Sequence, residues 1–249
     1  MRLKINNHQV IKIGSQCLFD DRGETNLRLL KRKAEEIKGL EERLGRRSTL
    51  VVSGAIALGK RQYGDARRNE DISATELQRY ACKGQIELMD VYKTIFDGIY
   101  GVSQLLLTSE NFRRPADRKH IRDLIAGDCG NNTLTLVNYN DGVDFEQLRK
   151  DNEQTSATLA LYCGSERLII LGLYEGFIDR QGNLIAHLSR VSQQHYAMCN
   201  GNSENGTGGF KAKLRIVNNL IDHGTKVIIA HVKHPLEEVI QGKYGTHFG

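Results

Sequence analysis

Lys12 sits inside the apolar run Val10-Ile11-Lys12-Ile13, and Lys211 and Lys213 stand two hundred residues later in an amphipathic segment. An ammonium within a buried strand is costly unless something is there for it to neutralise. Glycine-bearing turns follow several of the apolar runs. Gly14-Ser15 follows the first, Ser53-Gly54-Ala55 follows Thr49-Leu50-Val51-Val52, and Gly172-Leu173 follows Leu168–Leu171, while Gly206-Thr207-Gly208-Gly209 stands just ahead of Lys211. Where such turns feed helices they leave backbone N–H groups free at the positive end of the helix dipole, and the missing Cβ lets an oxygen-rich group come close. Lys12 with one of Lys211 or Lys213 would neutralise charge on a transferring phosphoryl group. Asp141, Asp151 and Glu153, with the amides of Asn140 and Asn152, would orient the lysines, a substrate ammonium or a magnesium ion. The set suits an anion together with a second small polar ligand.

These residues need a scaffold that gathers them. Short runs at Val10–Ile13, Thr49–Ser53, Val102–Leu107, Leu134–Asn138, Leu168–Leu171 and Val227–Ile229 read as strands. Helical spacing of apolar residues runs through 26–44, 75–96, 152–162 and 211–222. Strands apolar on both faces and separated by helices predict an α/β fold, a mostly parallel sheet covered on both sides, in one domain over 1–249. In an open parallel sheet ligands bind beyond the carboxyl ends of the strands, where the candidates fall. Residues 172–205 read as polar hairpin material around Asp179–Asn183, and Asn200–Gly209 as a loop.

Composition narrows the function classes. The 249 residues carry 35 Lys and Arg against 30 Asp and Glu, a net charge of +5. The excess is scattered rather than striped, which argues for anionic small molecules and against nucleic acid. No run approaches a membrane span and no leader pattern is visible, so a reduced, cytoplasmic protein is expected. The five cysteines form no CxxC pair. There is no GxxxxGK[ST] and no GxGxxG after the first strand. Ser53 lacks the GxSxG context of a hydrolase nucleophile. His231 and His234 read as an exposed turn before Pro235 in preference to metal ligands, Cys82 as a packing residue, and Arg113-Arg114 with Arg118-Lys119 and Arg122 as a solvated arm, a subunit contact or a grip for a substrate carboxylate or phosphate.

Several segments resemble the glutamate 5-kinases of the amino acid kinase superfamily. They are Val10–Ser15, Val51-Val52-Ser53-Gly54-Ala55-Ile56-Ala57-Leu58-Gly59, Gly84–Met89, Gln104–Thr108, Asn138-Tyr139-Asn140-Asp141, Asp151–Ala157, Gly206–Leu214 and Gly245–Phe248, nearly the whole chain in order. The resemblance implies an αβα sandwich with ATP and an amino acid across the carboxyl edge of the sheet. It implies in-line transfer of the γ-phosphoryl group to a side-chain carboxylate, with L-glutamate as the leading acceptor, as in proline biosynthesis. By position, Lys12 and Lys213 would stabilise the phosphoryl group in flight, and Asp151 and Glu153 would orient the lysines or the metal. Ser53, Gly54, Ala55, Asp141 and Asn152 would hold the amino acid. Gly14, Ser15, Gly172, Leu173 and Gly206 to Gly209, with Lys213, would contact the nucleotide. ATP and Mg2+ are the expected cofactors, no protein side chain is assigned to the metal, and a homo-oligomer, dimer or tetramer, is expected, with 75–96 a candidate pairing helix. A PUA domain, which many members carry, is not expected.

Three positions depart from the family pattern. Its Thr-Asp after the fifth strand is Gly172-Leu173, its Asn-Glu-Asn-Asp is Asn138-Tyr139-Asn140-Asp141, and the last acid of its Asp-Asn-Asp is Glu153. Two alternatives therefore stay open: the same fold acting on a different acceptor, and a ligand-binding regulatory paralogue with weakened catalysis.

Overall fold

The computed structural model describes residues 5–144, 152–199 and 209–249. Its frame is an eight-stranded sheet in the order β3-β4-β2-β1-β5-β7-β8-β6. The strands are β1 (His8–Ile13), β2 (Arg47–Val51), β3 (Gly101–Leu107), β4 (Thr133–Tyr139), β5 (Arg167–Gly172), β6 (His187–Leu188), β7 (Lys226–His231) and β8 (Thr246–Phe248). Every pairing is parallel except β7 with β8. The chain leaves central β1 toward β2 on one side and later returns to its other flank as β5, which makes the rim above β1 a topological switch point. The mostly parallel α/β sandwich is as the sequence predicts.

Strand alternation sorts the core into two layers. Ile11, Ile13, Leu50, Val52, Leu136, Ile169 and Leu171 face α1 (Leu27–Leu44), α2 (Ala55–Gln62) and α3 (Ala74–Phe96). Val10, Val51, Val137, Leu168, Ile170 and Ile229 face α5 (Pro115–Gly130), α6 (Glu153–Cys163) and α8 (Gly209–Asp222). Short helices α4 (Ser109–Arg113), α7 (Gln193–Met198) and α9 (Leu236–Ile240) complete the set. Helix α1 begins on Asn26, whose side chain accepts from the Leu29 N–H, and ends on left-handed Gly45. Helix α5 overturns one of the readings of 113–122, the solvated arm: Ile121, Ile125 and Cys129 recur every four residues on a buried stripe, behind Pro115 at the first turn. Arg118 donates to the carbonyls of Phe112 and Arg113, and Arg122 pairs with Asp123, so these side chains lock the local chain.

Two packing details set the positions of the strand ends. Helices α2 and α3 cross closely because Gly84 has no side chain; a Cβ there would lie 1.8 Å from the Ala55 carbonyl oxygen. At the other end of the sheet His8 is fully buried, its Nδ1 2.8 Å from Ser165 Oγ and its Nε2 2.9 Å from Thr49 Oγ1. Burial pushes this imidazole down from 6.5 to about 4.

Gly84→Ala is expected to cost at least ~2 kcal/mol, read as a lower urea midpoint at unchanged slope, because backbone must move. Gly127→Ala in α5, where a Cβ meets nothing within 4 Å, is expected to stabilise by about 0.5–1 kcal/mol. For His8, the unfolded chain binds the extra proton between pH 6.5 and 4, so the stability from the neutral imidazole is full above 6.5 and lost on acidification. Across that window the protein should lose about 3 kcal/mol more than a His8→Gln variant in urea titrations; parallel pH profiles would refute the assignment.

Candidate active site

Because Val10 faces the α6–α8 layer, Lys12, two residues on, faces it too. Glu153 is the first residue of α6, and Lys213 lies in the second turn of α8. Lys12 Nζ is 2.9 Å and Lys213 Nζ 2.8 Å from the same oxygen, Glu153 Oε1. All three side chains are almost completely buried. The sequence left Lys211 and Lys213 as alternatives; Lys211 is exposed, and the helix turns Lys213 inward. The Tyr174 ring lies 5.1 Å from the Lys213 ammonium, close enough for a cation–π contact.

The glycine turns close around this group. The Gly14 N–H donates to the Leu171 carbonyl at 3.0 Å, tying the end of β1 to β5, and a Cβ on Gly14 would stand 3.9 Å from Lys12 Nζ. Gly54 adopts φ +119°, and a Cβ there would meet Leu18 at 2.1 Å and Ser15 at 3.7 Å, so only glycine lets the β1 and β2 turns meet. Beyond β5, the Tyr174 ring folds back over Gly172, 3.3 Å from where a Cβ would be, while Leu173 is 49% exposed. Glu175 is bound by Lys233 and by His234, whose Nε2 is 2.7 Å from its Oε2, and these hydrogen bonds hold the carboxyl down at about 2. His234 also stacks on Tyr244 at 3.8 Å, which corrects its reading as an exposed turn residue.

On the opposite face of the sheet, a cavity of about 200 Å³ opens beside the end of β4, lined by Ala55, Gln85, Tyr139, Asn140, Asp141 and Cys82 among others. Cys82 is exposed and borders this space instead of packing in the core. Burial, reinforced by the charge of Asp144, raises the Asp141 carboxyl from 3.8 to about 7. Tyr139, standing where the family carries Glu, donates its hydroxyl to Asp144, which also accepts the Ser109 N–H at 2.6 Å. Asn152 Nδ2 donates to the Val52 carbonyl at 2.9 Å and to Asn138 Oδ1 at 3.0 Å. Asn138 Nδ2 in turn donates to Gln85 Oε1 at 2.7 Å. Half-buried Ser53 lies two residues past the end of β2, just ahead of Gly54.

The consecutive residues Asn152 and Glu153 thus join the two halves, one reaching Asn138 on β4 and the other the lysines. Of the predicted residues, Lys12, Lys213 and Glu153 converge, and Gly14, Ser15, Gly54 and Ala55 frame the rim. Asp141 and Asn152 belong to the cavity side. Asp151, Gly206, Thr207 and Gly208 lie outside the described residues, and Gly209 begins α8. Among the described residues no helix is long and apolar enough to cross a membrane. Gln85 was visible only as part of a sequence motif; its i+4 step from Ala81 and i−3 step from Leu88 placed it beside the packed stripe of α3, with nothing to mark a cavity.

Residues 7–231 match the amino acid kinase family. The chain is similar to the glutamate 5-kinase of Lactiplantibacillus plantarum, 34% identical over 257 residues that span 96% of each chain. In fold it is similar to a Giardia carbamate kinase, with a TM-score of 0.67 at 16% identity over 97% of this chain and 98% of that one. It is also similar to the N-acetylglutamate synthase of Neisseria gonorrhoeae, with a TM-score of 0.65 at 15% identity; 97% of this chain spans 61% of that longer one.

Asp141 makes the rim sensitive to pH. The folded state holds its proton between pH 3.8 and 7, so the stability from the neutral acid is full below 3.8 and lost as pH rises to 7. Relative to wild type, Asp141→Asn should gain about 4 kcal/mol across that interval and nothing further above it. Urea titrations at pH 4, 5.5, 7 and 8 check this, and a constant difference would show that Asp141 ionises normally.

Proposed function

Since the chain belongs to the amino acid kinase family, we propose that it transfers the γ-phosphoryl group of ATP to the γ-carboxyl of L-glutamate, giving γ-glutamyl phosphate and ADP for proline biosynthesis. The observation that carries this reading is the pair of buried ammonium groups, brought from opposite ends of the chain onto Glu153 at the rim of the sheet. On the other face of the sheet, beside the end of β4, lies a cavity of about 200 Å³ with an acid of its own. That volume is below the ~300–1,000 Å³ of drug-sized ligand clefts and suits a small amino acid.

The chemistry asks little of the protein beyond position and charge. A carboxylate is already a nucleophile at neutral pH, so no general base is needed. One γ-carboxylate oxygen forms a bond to the γ-phosphorus as the bond from phosphorus to the β–γ bridging oxygen breaks, and ADP departs with that electron pair. Lys12 and Lys213 would neutralise the charge that spreads over the equatorial oxygens, and Glu153, paired with both, would hold them in place before the substrates arrive. Asp141, ionised on pairing with the substrate ammonium, anchors the other end. The carboxylate of Glu153 is engaged by the lysines, so a magnesium ion fits here as a passenger on the nucleotide phosphates, where it would neutralise charge. Gly172 and Tyr174 would leave the nucleotide an aromatic face where the family offers Thr-Asp.

With MgATP, L-glutamate and hydroxylamine, the protein should yield a hydroxamate, the trapped acyl phosphate. Lys213→Ala should lower that rate by at least ~10²-fold, in keeping with the loss of one transition-state charge partner, while glutamate affinity by calorimetry stays within about threefold. Hydroxamate formed from another acid and not from glutamate would move the acceptor assignment. Tight glutamate binding without turnover would move the protein to a ligand-sensing role.

A further inference from the structure

The amide relay beneath the cavity has a direction, and the direction is fixed by backbone. The Val52 carbonyl can only accept, so the Asn152 group 2.9 Å from it is the NH2. That NH2 also lies 3.0 Å from Asn138, which must present its oxygen there and therefore its NH2 to Gln85, 2.7 Å away. Gln85 is thereby obliged to accept with Oε1 and to turn Nε2 elsewhere. Side-chain amides are ordinarily ambiguous in which end is nitrogen, but a chain of three anchored on a carbonyl is not. The Nε2 group is buried and has no hydrogen-bond partner among the described residues, and Gln85 lines the same cavity as Asp141. An orphaned buried donor costs free energy comparable to a lost hydrogen bond, and one on a side chain that lines a cavity can recover that cost from a ligand acceptor.

We propose that Gln85 is the acceptor-specificity residue of this site, its Nε2 donating to the α-carboxylate of the amino acid whose ammonium faces Asp141. This rests on the reading of the protein as an amino acid kinase and names the contact that defines its acceptor. Register supports the geometry. Lys12 is level with Val51 on β2, and Val51 with Val137 on β4, so the lysine and the relay are two strand spacings apart, about 10 Å. Their side chains leave the sheet on opposite faces: Lys12 toward α6 and α8, Asn138 toward Gln85 on α3. A ligand held by Gln85 therefore lies across the end of β2, over Ser53 and Gly54, with its distal carboxylate turned toward the lysines. A dicarboxylic amino acid meets both ends, and one without the α-carboxylate leaves Gln85 unsatisfied.

The test compares L-glutamate with 4-aminobutyrate, which is glutamate without its α-carboxylate, in wild type and in Gln85→Glu. The substituted side chain still accepts from Asn138 but meets a carboxylate with an acceptor. For glutamate, kcat/KM should fall by at least ~10–100-fold, chiefly through KM, and for 4-aminobutyrate by less than threefold. Gln85→Met, which removes the donor without adding charge, should likewise erase the preference for glutamate over 4-aminobutyrate, and covers the case that Gln85→Glu fails to fold. Equal losses on both substrates would make Gln85 a structural residue and overturn the proposal, as would no change on either. If wild type is inert with glutamate, the kinase reading of the acceptor fails by itself; calorimetric glutamate binding that Gln85→Glu abolishes would still sustain the Gln85 assignment, and undiminished binding would end it.

Discussion

A carboxylate held between two ammonium groups in a nearly dry site is the constraint around which this structure is arranged. Glu153, Lys12 and Lys213 are buried to within a few per cent. Burying any one of them alone is costly, and removing one partner from such a group typically destabilises by about 3–5 kcal/mol. The cost is tolerable because each member comes from an element whose position is fixed independently. Lys12 rides on the central strand, Glu153 starts a helix where negative charge is favoured by the dipole, and Lys213 follows one helical turn into α8. The three meet only if β1, α6 and α8 dock as they do, so the docking of one whole face of the sheet and the preorganisation of the site are one event.

The opposite face is organised by amides. The relay from Val52 through Asn152 and Asn138 to Gln85 connects β2, the start of α6, β4 and α3 with neutral groups, so it fixes geometry without adding charge. The close α2–α3 crossing at Gly84 keeps Gln85 and Ala55 against the same small cavity. The rim therefore has a charged side and a neutral side, joined by the neighbours Asn152 and Glu153. A bifunctional ligand matches that asymmetry: charge neutralisation at the reacting end, hydrogen-bond fit at the recognised end.

The departures from the family pattern are absorbed by neighbouring residues. Tyr139, which lines the cavity where the family carries Glu, engages Asp144, a carboxylate three residues past Asp141 in sequence. Gly172 makes room for the Tyr174 ring, which then lies against Lys213. Lys12 and Lys213 stay paired on the one Glu153 oxygen despite these departures.

Period and residue type alone predicted the parallel α/β frame, because the central strands are apolar on both faces and helices such as α1 and α3 carry a stripe, and they marked Lys12 because ammonium is out of place in such a strand. They also picked out the turns at Gly14 and Gly54, where a missing side chain is a local property. The α5 helix was legible in the spacing of Ile121, Ile125 and Cys129 but was masked by the arginines around it. Other features depended on residues distant in sequence. Which of Lys211 and Lys213 points inward, where His234 finds Glu175, 59 positions away, and which way the Gln85 amide is turned by Asn138, 53 positions away, are decided by partners on other elements. Local sequence determines the conformation of a segment because backbone and side-chain sterics act over a few residues; only tertiary packing decides which buried polar groups meet, because their desolvation must be compensated across elements that the chain brings together when it folds.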